Sequence, residues 1–182
     1  MSNTALITPT VPTEDQARVE AIFAQVKEQM GFVPDGLKLY SISPPLLESF
    51  LGTVGYFRGH PTFRQELLAM IRYLASSKNN CTFCIDFNES ILLHLGLELD
   101  DIRNSRETPD QAPLPNHEKV LLTLALNALN TPDAINAEDV RKAKASGWDE
   151  RAIFEAVLMA ANNQAFTTVL KTFNIHHQGE LG

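Results

Sequence analysis

The sequence predicts an all-α fold, a single-domain helical bundle with no significant sheet. Apolar residues recur at three- and four-residue spacing in segment after segment, which is the signature of helices with one buried face. No region sustains two-residue alternation, and no pair of β-branched runs is joined by an Asn-Gly or Asp-Gly turn. With 182 residues, 44% of them hydrophobic, the chain is long enough to fill one core without a second domain.

The elements follow in order. Residues 1–13 carry Pro9 and Pro12 among Thr and Ser, and read as an extended arm ending at Thr13, an expected N-cap. From Glu14 to Met30, Ala17, Ala21, Phe23, Ala24, Val26 and Met30 keep helical spacing, and Gly31 stops the run. G-F-V-P-D-G is a turn, followed by a short helix Leu37–Ile42, and Ser43-Pro44-Pro45 opens the next helix. Pro61–Ser77 is a longer helix with Leu67, Leu68, Met70, Ile71 and Leu74 inward. Asn79 and Asn80 break it and are placed to cap a helix over Cys81–Leu95, which Gly96 closes. Leu99–Ser105 is a short helix, Arg106–Pro115 a loop with three prolines, and His117–Leu129, Ala137–Ala145 and Asp149–Phe173 complete the set. The helical domain is expected over residues 14–175, with a mobile tail over 176–182. A faint echo of G-L-E-L-D-D-I (Gly96–Ile102) in G-W-D-E-R-A-I (Gly147–Ile153) suggests an internal helical repeat.

The 22 acidic residues exceed the 15 Lys and Arg, so the net charge is −7 and a polyanion such as nucleic acid is repelled. No apolar stretch approaches a membrane span, and the N-terminus shows no signal-peptide pattern, so a cytoplasmic protein is expected. The chain has no G-x-S-x-G, P-loop, dinucleotide fingerprint or H-E-x-x-H. No cofactor is called for.

The chemistry-bearing feature is N-N-C-T-F-C-I-D-F-N-E-S, which holds the only two cysteines, Cys81 and Cys84. Residues three apart share a helix face, so the two thiols can meet each other and a third reactant. A helix N-terminus stabilises negative charge, and the thiolate is the reactive form of cysteine. A thiol peroxidase needs an attacking thiolate, a proton donor for the leaving oxygen and a second thiol to capture the sulfenic acid. Four residues after Cys84, on the same face, stands Asn88, whose amide can orient a partner but cannot take up a proton. Asn88, like Glu89, otherwise reads as a polar position on a partly exposed face. A zinc site is disfavoured, because His60, His94 and His117 are isolated and His176-His177 is adjacent rather than spaced.

In A-S-S-K-N-N-C-T-F-C, with Gly96 after the cysteine helix, the sequence resembles the alkylhydroperoxidase D-like (AhpD-like), carboxymuconolactone decarboxylase family. The lead-in G-F-V-P-D-G-L-K-L-Y-S-I-S-P-P-L-L-E-S-F is similar to its peroxidase-related branch, and G-W-D-E-R-A-I-F-E-A-V-L-M-A-A-N-N to its final helix. The resemblance covers roughly Ala17 to Phe173. It implies that Cys84 is the peroxidatic thiol and Cys81 the resolving one, that a hydroperoxide is the substrate, and that a lipoyl- or thioredoxin-type dithiol re-reduces the pair. It also implies a homo-oligomer, for which the apolar helix 156–173 is the expected interface. Members with a full proton relay have His where this chain has Asn88 and Glu where it has Ala69, and some have His where it has Phe83. Glu66, one turn before Ala69, is the remaining candidate for the acid. The alternatives are a carboxymuconolactone decarboxylase-type enzyme and a non-catalytic redox sensor that has lost the relay.

Overall fold

The computed structural model describes residues 5–179 and Leu181. Among them are nine α-helices and no strand: α1 Gln16–Met30, α2 Asp35–Tyr40, α3 Pro44–Arg58, α4 Gln65–Lys78, α5 Thr82–His94, α6 Leu99–Asn104, α7 Asn116–Asn130, α8 Ala137–Ala145 and α9 Glu150–Thr172. The all-α expectation holds. Contacts divide the chain into two compact units, one from residues up to Gly59 together with those from Val169 on, the other His60–Thr168.

In the first unit, Val19 and Val26 of α1 pack with Leu37 of α2 and Leu47 of α3, and Val11, Ile22, Phe23 and Phe50 close around them. Thr13 does not cap α1: Thr13–Asp15 form a 3-10 turn ahead of it, with no side-chain cap bond. Pro44 enters α3 at its first turn, where its missing N–H costs nothing. Of the expected arm, residues 1–4 lie outside the described residues, and the Leu6 N–H donates to the Phe173 carbonyl at 3.0 Å. Residues 176–182, expected as a tail, include partners of a buried acid: the Gly179 and Leu181 N–H groups donate to Asp35 Oδ2 at 2.8 and 3.0 Å, and Lys38 stands 3.1 Å from Oδ1. Glu180 and Gly182 lie outside the described residues.

The second unit is built on α4, which packs along α5 and against α7, with α6 on α5 and α8 on α7. Leu67, Leu68, Ala69, Met70, Ile71, Tyr73 and Leu74 of α4 are buried, as are Leu121, Leu122 and Ala125 of α7. Helix α4 starts at Gln65, so Pro61–Arg64, read from sequence as helical, lie outside it. His60 bridges this region: Nε2 lies 2.7 Å from Glu155 Oε2, Nδ1 accepts from the Phe63 N–H, and the ring stacks on Phe63. The sequence echo has a local structural counterpart. Gly96 and Gly147 both have positive φ, and Leu97 N–H to Leu92 C=O matches Trp148 N–H to Ala143 C=O, so both helices end in the same Schellman turn.

Candidate active site

The turn between α4 and α5 sets the dithiol. Asn80 has φ +50°, a left-handed conformation that asparagine tolerates better than most side chains. The Asn80 N–H donates to Ser77 C=O and the Cys81 N–H to Ser76 C=O, again the Schellman pattern. Asn80 therefore closes α4 and cannot also cap α5. The cap is Cys81, whose sulfur accepts the Cys84 N–H at 3.4 Å. Here the structure corrects the expected capping by asparagine.

Both cysteines are free thiols and both are buried. Around Cys84, the Thr167 hydroxyl from α9 donates to its sulfur at 3.5 Å. The Ser76 hydroxyl also interacts with that thiol and receives a hydrogen bond from Asn163 Nδ2 at 2.9 Å. Asn163 further reaches the Arg72 carbonyl, so Asn163 and Thr167, one turn apart on α9, brace the end of α4 and the second thiol together. The Cys84 thiol is pushed well above the ordinary cysteine range, first by its hydrogen bond with the Cys81 sulfur, then by burial and by the charge of Cys81; the Thr167 and Ser76 hydroxyls pull the other way.

Asn88 is buried, which corrects the partly exposed position expected for it. Its Oδ1 accepts from Arg72 Nε at 2.9 Å and its Nδ2 donates to the Cys84 carbonyl at 2.8 Å. It orients, and it has no capacity to shuttle a proton. Glu66 is not brought to the thiols. It sits in the first turn of α4, paired with Arg64 at 3.1 Å, and the ten residues from Glu66 to Ser76 span about 15 Å of helix. Ala69 is fully buried, and Phe83 lies parallel to Phe87 with 6.3 Å between ring centres.

Beside the site, Glu89 is no solvated charge. It accepts from Tyr73 Oη at 3.0 Å and pairs with Arg103 and Arg106, which hold its carboxyl below the usual range, while burial and Glu89 push Tyr73 up to about 12. Arg72, Ser76, Asn163 and Thr167 were outside the sequence-based candidate set. The available signal was the spacing of Asn163 and Thr167, two polar residues four apart in an apolar helix. Among the described residues, no group of three His, Cys, Asp or Glu side chains is arranged to hold a metal ion, and no helix is long and apolar enough to cross a membrane.

This fold is shared with solved structures of AhpD-like, peroxidase-related proteins. An uncharacterized peroxidase-related protein from Silicibacter sp. TM1040 superposes with a TM-score of 0.86 at 18% identity, over 97% of this chain and 93% of that one. A second peroxidase-related protein, an alkylhydroperoxidase AhpD core from Ralstonia eutropha JMP134, gives 0.80 at 16% identity, over 97% and 94%. The debrominase Bmp8 gives 0.76 at 19% identity, over 99% and 96%. No family model and no curated protein matches the sequence. The likeness is therefore one of fold: the chain adopts the AhpD-like architecture.

Proposed function

We propose that the protein is a thiol-dependent oxidoreductase that reduces a hydroperoxide by cycling Cys81 and Cys84 between dithiol and disulfide. The observation that carries this reading is the pairing of the two sulfurs at the start of α5, one capping the helix and the other held by Thr167. One thiolate attacks the hydroperoxide, the O–O bond breaks, and a sulfenic acid and an alcohol form. The second thiol then displaces water to close the disulfide, so that one hydroperoxide and two thiols become alcohol, water and disulfide. A lipoyl- or thioredoxin-type dithiol restores the pair.

The resemblance puts the attack on Cys84, whereas the geometry favours Cys81. Cys81 accepts a backbone N–H at the helix N-terminus, where negative charge is stabilised, while the hydrogen bond with Cys81 and burial raise the Cys84 pKa. With an amide at Asn88 and Glu66 away from the thiols, the Cys84 thiol gives its proton to the departing alkoxide and so becomes the thiolate that resolves. Oxidising Cys81 to a neutral sulfenic acid also removes its charge from beside Cys84, so that burial is left to oppose the second thiolate and the Thr167 and Ser76 hydroxyls to favour it.

Excess organic hydroperoxide should remove two thiols per chain from the wild type, and sustained consumption with dithiothreitol should follow. Two thiols persisting after treatment would end this reading. A redox sensor without turnover is the second reading, favoured by Asn88 being committed to Arg72 and the Cys84 carbonyl. One peroxide consumed per chain, and no more in the presence of reductant, would select it. Activity on a muconolactone that survived loss of both cysteines would select a decarboxylase. Assembly into a homo-oligomer is supported by Phe154 and Leu158, four apart on α9 and exposed in the protomer.

A further inference from the structure

We propose that Arg72 is an anion receptor beside the dithiol and that the preferred oxidant is a hydroperoxide bearing a carboxylate. The reaction rests on the dithiol reading above, whereas the anion site rests on the surroundings of Arg72 alone.

Arg18, Arg64, Arg103, Arg106, Arg141 and Arg151 each meet a carboxylate. Arg72 does not. The one hydrogen bond of its side chain among the described residues runs from Nε to the neutral amide oxygen of Asn88, at 2.9 Å, so its two Nη groups have no acceptor among those residues. The residue is half-buried, and burial with no compensating acid lowers its pKa to about 10. A partly desolvated cation without a counter-ion is costly, and in a chain with 22 acidic residues the lack of a carboxylate beside it distinguishes Arg72 from the six arginines above. The free edge of a guanidinium is a planar fork that matches a carboxylate.

The position relates this fork to the sulfurs. Arg72 precedes Ser76 by one turn on α4, and its partner Asn88 follows Cys84 by one turn on α5. Neighbouring turns of a helix face are about 5–6 Å apart, so an anion on Arg72 lies within the length of a small bifunctional molecule from the thiols. The net charge of −7 repels anions at long range, so recognition must act at contact, and a half-buried seat favours a monocarboxylate over a strongly hydrated phosphate dianion.

Thiol alkylation tests the site without any peroxidase activity. The rate of labelling by iodoacetate, an anion, is compared with that by iodoacetamide, its neutral analogue, in wild type, Arg72→Gln and Arg72→Lys. The iodoacetate-to-iodoacetamide ratio should fall about tenfold in Arg72→Gln, the scale of a charged hydrogen bond, and stay within about threefold of wild type in Arg72→Lys. An unchanged ratio in Arg72→Gln overturns the anion site. Were that variant unfolded, wild type alone decides: propionate should compete with iodoacetate at constant ionic strength, and indifference to it overturns the proposal. In parallel, a hydroperoxide acid and its methyl ester are offered with dithiothreitol, and Arg72→Gln should erase the preference for the acid. If both are inert while the alkylation ratio still falls, the anion site stands and the peroxidase reading fails.

Discussion

The Cys81 sulfur accepts the backbone N–H of Cys84 across 3.4 Å, so the first cysteine of the pair is also the N-cap of the helix that carries the second. One atom thus serves the fold and the chemistry. Replacing Cys81 by Ala should remove the cap and lower stability by about 0.5–2 kcal/mol, while Ser should retain it. The side-chain hydrogen bond between the two thiols raises the Cys84 pKa, and burial and the charge of Cys81 add to it. In Cys81→Ser that charge is gone, so the Cys84 thiolate should appear at a lower pH than in the reduced wild type. Ultraviolet thiolate absorbance followed against pH measures this, and an unshifted second ionisation would assign the effect to burial alone.

Thr167 donates its hydroxyl to the Cys84 sulfur from a fully buried position, which favours the thiolate over the thiol. Val has nearly the same shape without the donor. Thr167→Val should therefore raise the Cys84 pKa further and slow disulfide closure about tenfold, the scale of one charge-assisted hydrogen bond. The Cys81 sulfenic acid should then live longer and be trapped by dimedone in higher yield. Thr167→Ser should behave as wild type, and equal trapping in all three proteins would remove Thr167 from the resolving step.

Helix placement was legible in the sequence because each helix buries a face at its own period, and C-x-x-C was legible because its partners are three residues apart. Where local signals competed, tertiary and backbone demands decided. Asn80 has the composition of a cap, yet the chain needs it in a left-handed turn, and the cap passes to Cys81. Asn88 and Glu89 suggested a partly exposed face, but Arg72 reaches across from α4 to hydrogen-bond Asn88. Thr167 lies 83 residues from Cys84, and no local pattern could join them. Glu66 failed as a candidate for a plain geometric reason: it begins the helix at whose far end the thiols lie.

Asn88 stands where a proton handler would stand, and its amide accepts from Arg72 and donates to the Cys84 carbonyl. Asn88→Ala should leave Arg72 Nε unpaired and cost about 1–3 kcal/mol in urea unfolding. Asn88→His places a titratable group on the same helix face as the sulfurs. If proton transfer limits turnover, hydroperoxide consumption should rise about 10²-fold or more, the usual gain from general acid–base help. Stopped-flow measurement of sulfenic acid formation distinguishes the cases, because a rate unchanged by His would mean that the Cys84 thiol already supplies the proton efficiently.

Glu118, in the first turn of α7, is buried with Oε1 at 3.3 Å from Arg64 Nε and Oε2 without a hydrogen bond among the described residues. Burial raises its carboxyl above the usual range, and Arg64 and His117 only partly oppose this. A folded-state pKa above the unfolded one means that the carboxyl favours the folded state at pH below the unfolded value, and that this contribution is lost as pH rises through the folded value. Glu118→Gln has no such titration. The variant should match wild type near pH 4, roughly the ordinary glutamate pKa, and exceed it at neutral pH by about 1 kcal/mol, the low end for a buried group missing a partner. Urea unfolding of both proteins at the two pH values is the measurement. A variant less stable than wild type at neutral pH would mean that the ion pair with Arg64 outweighs the burial of the charge.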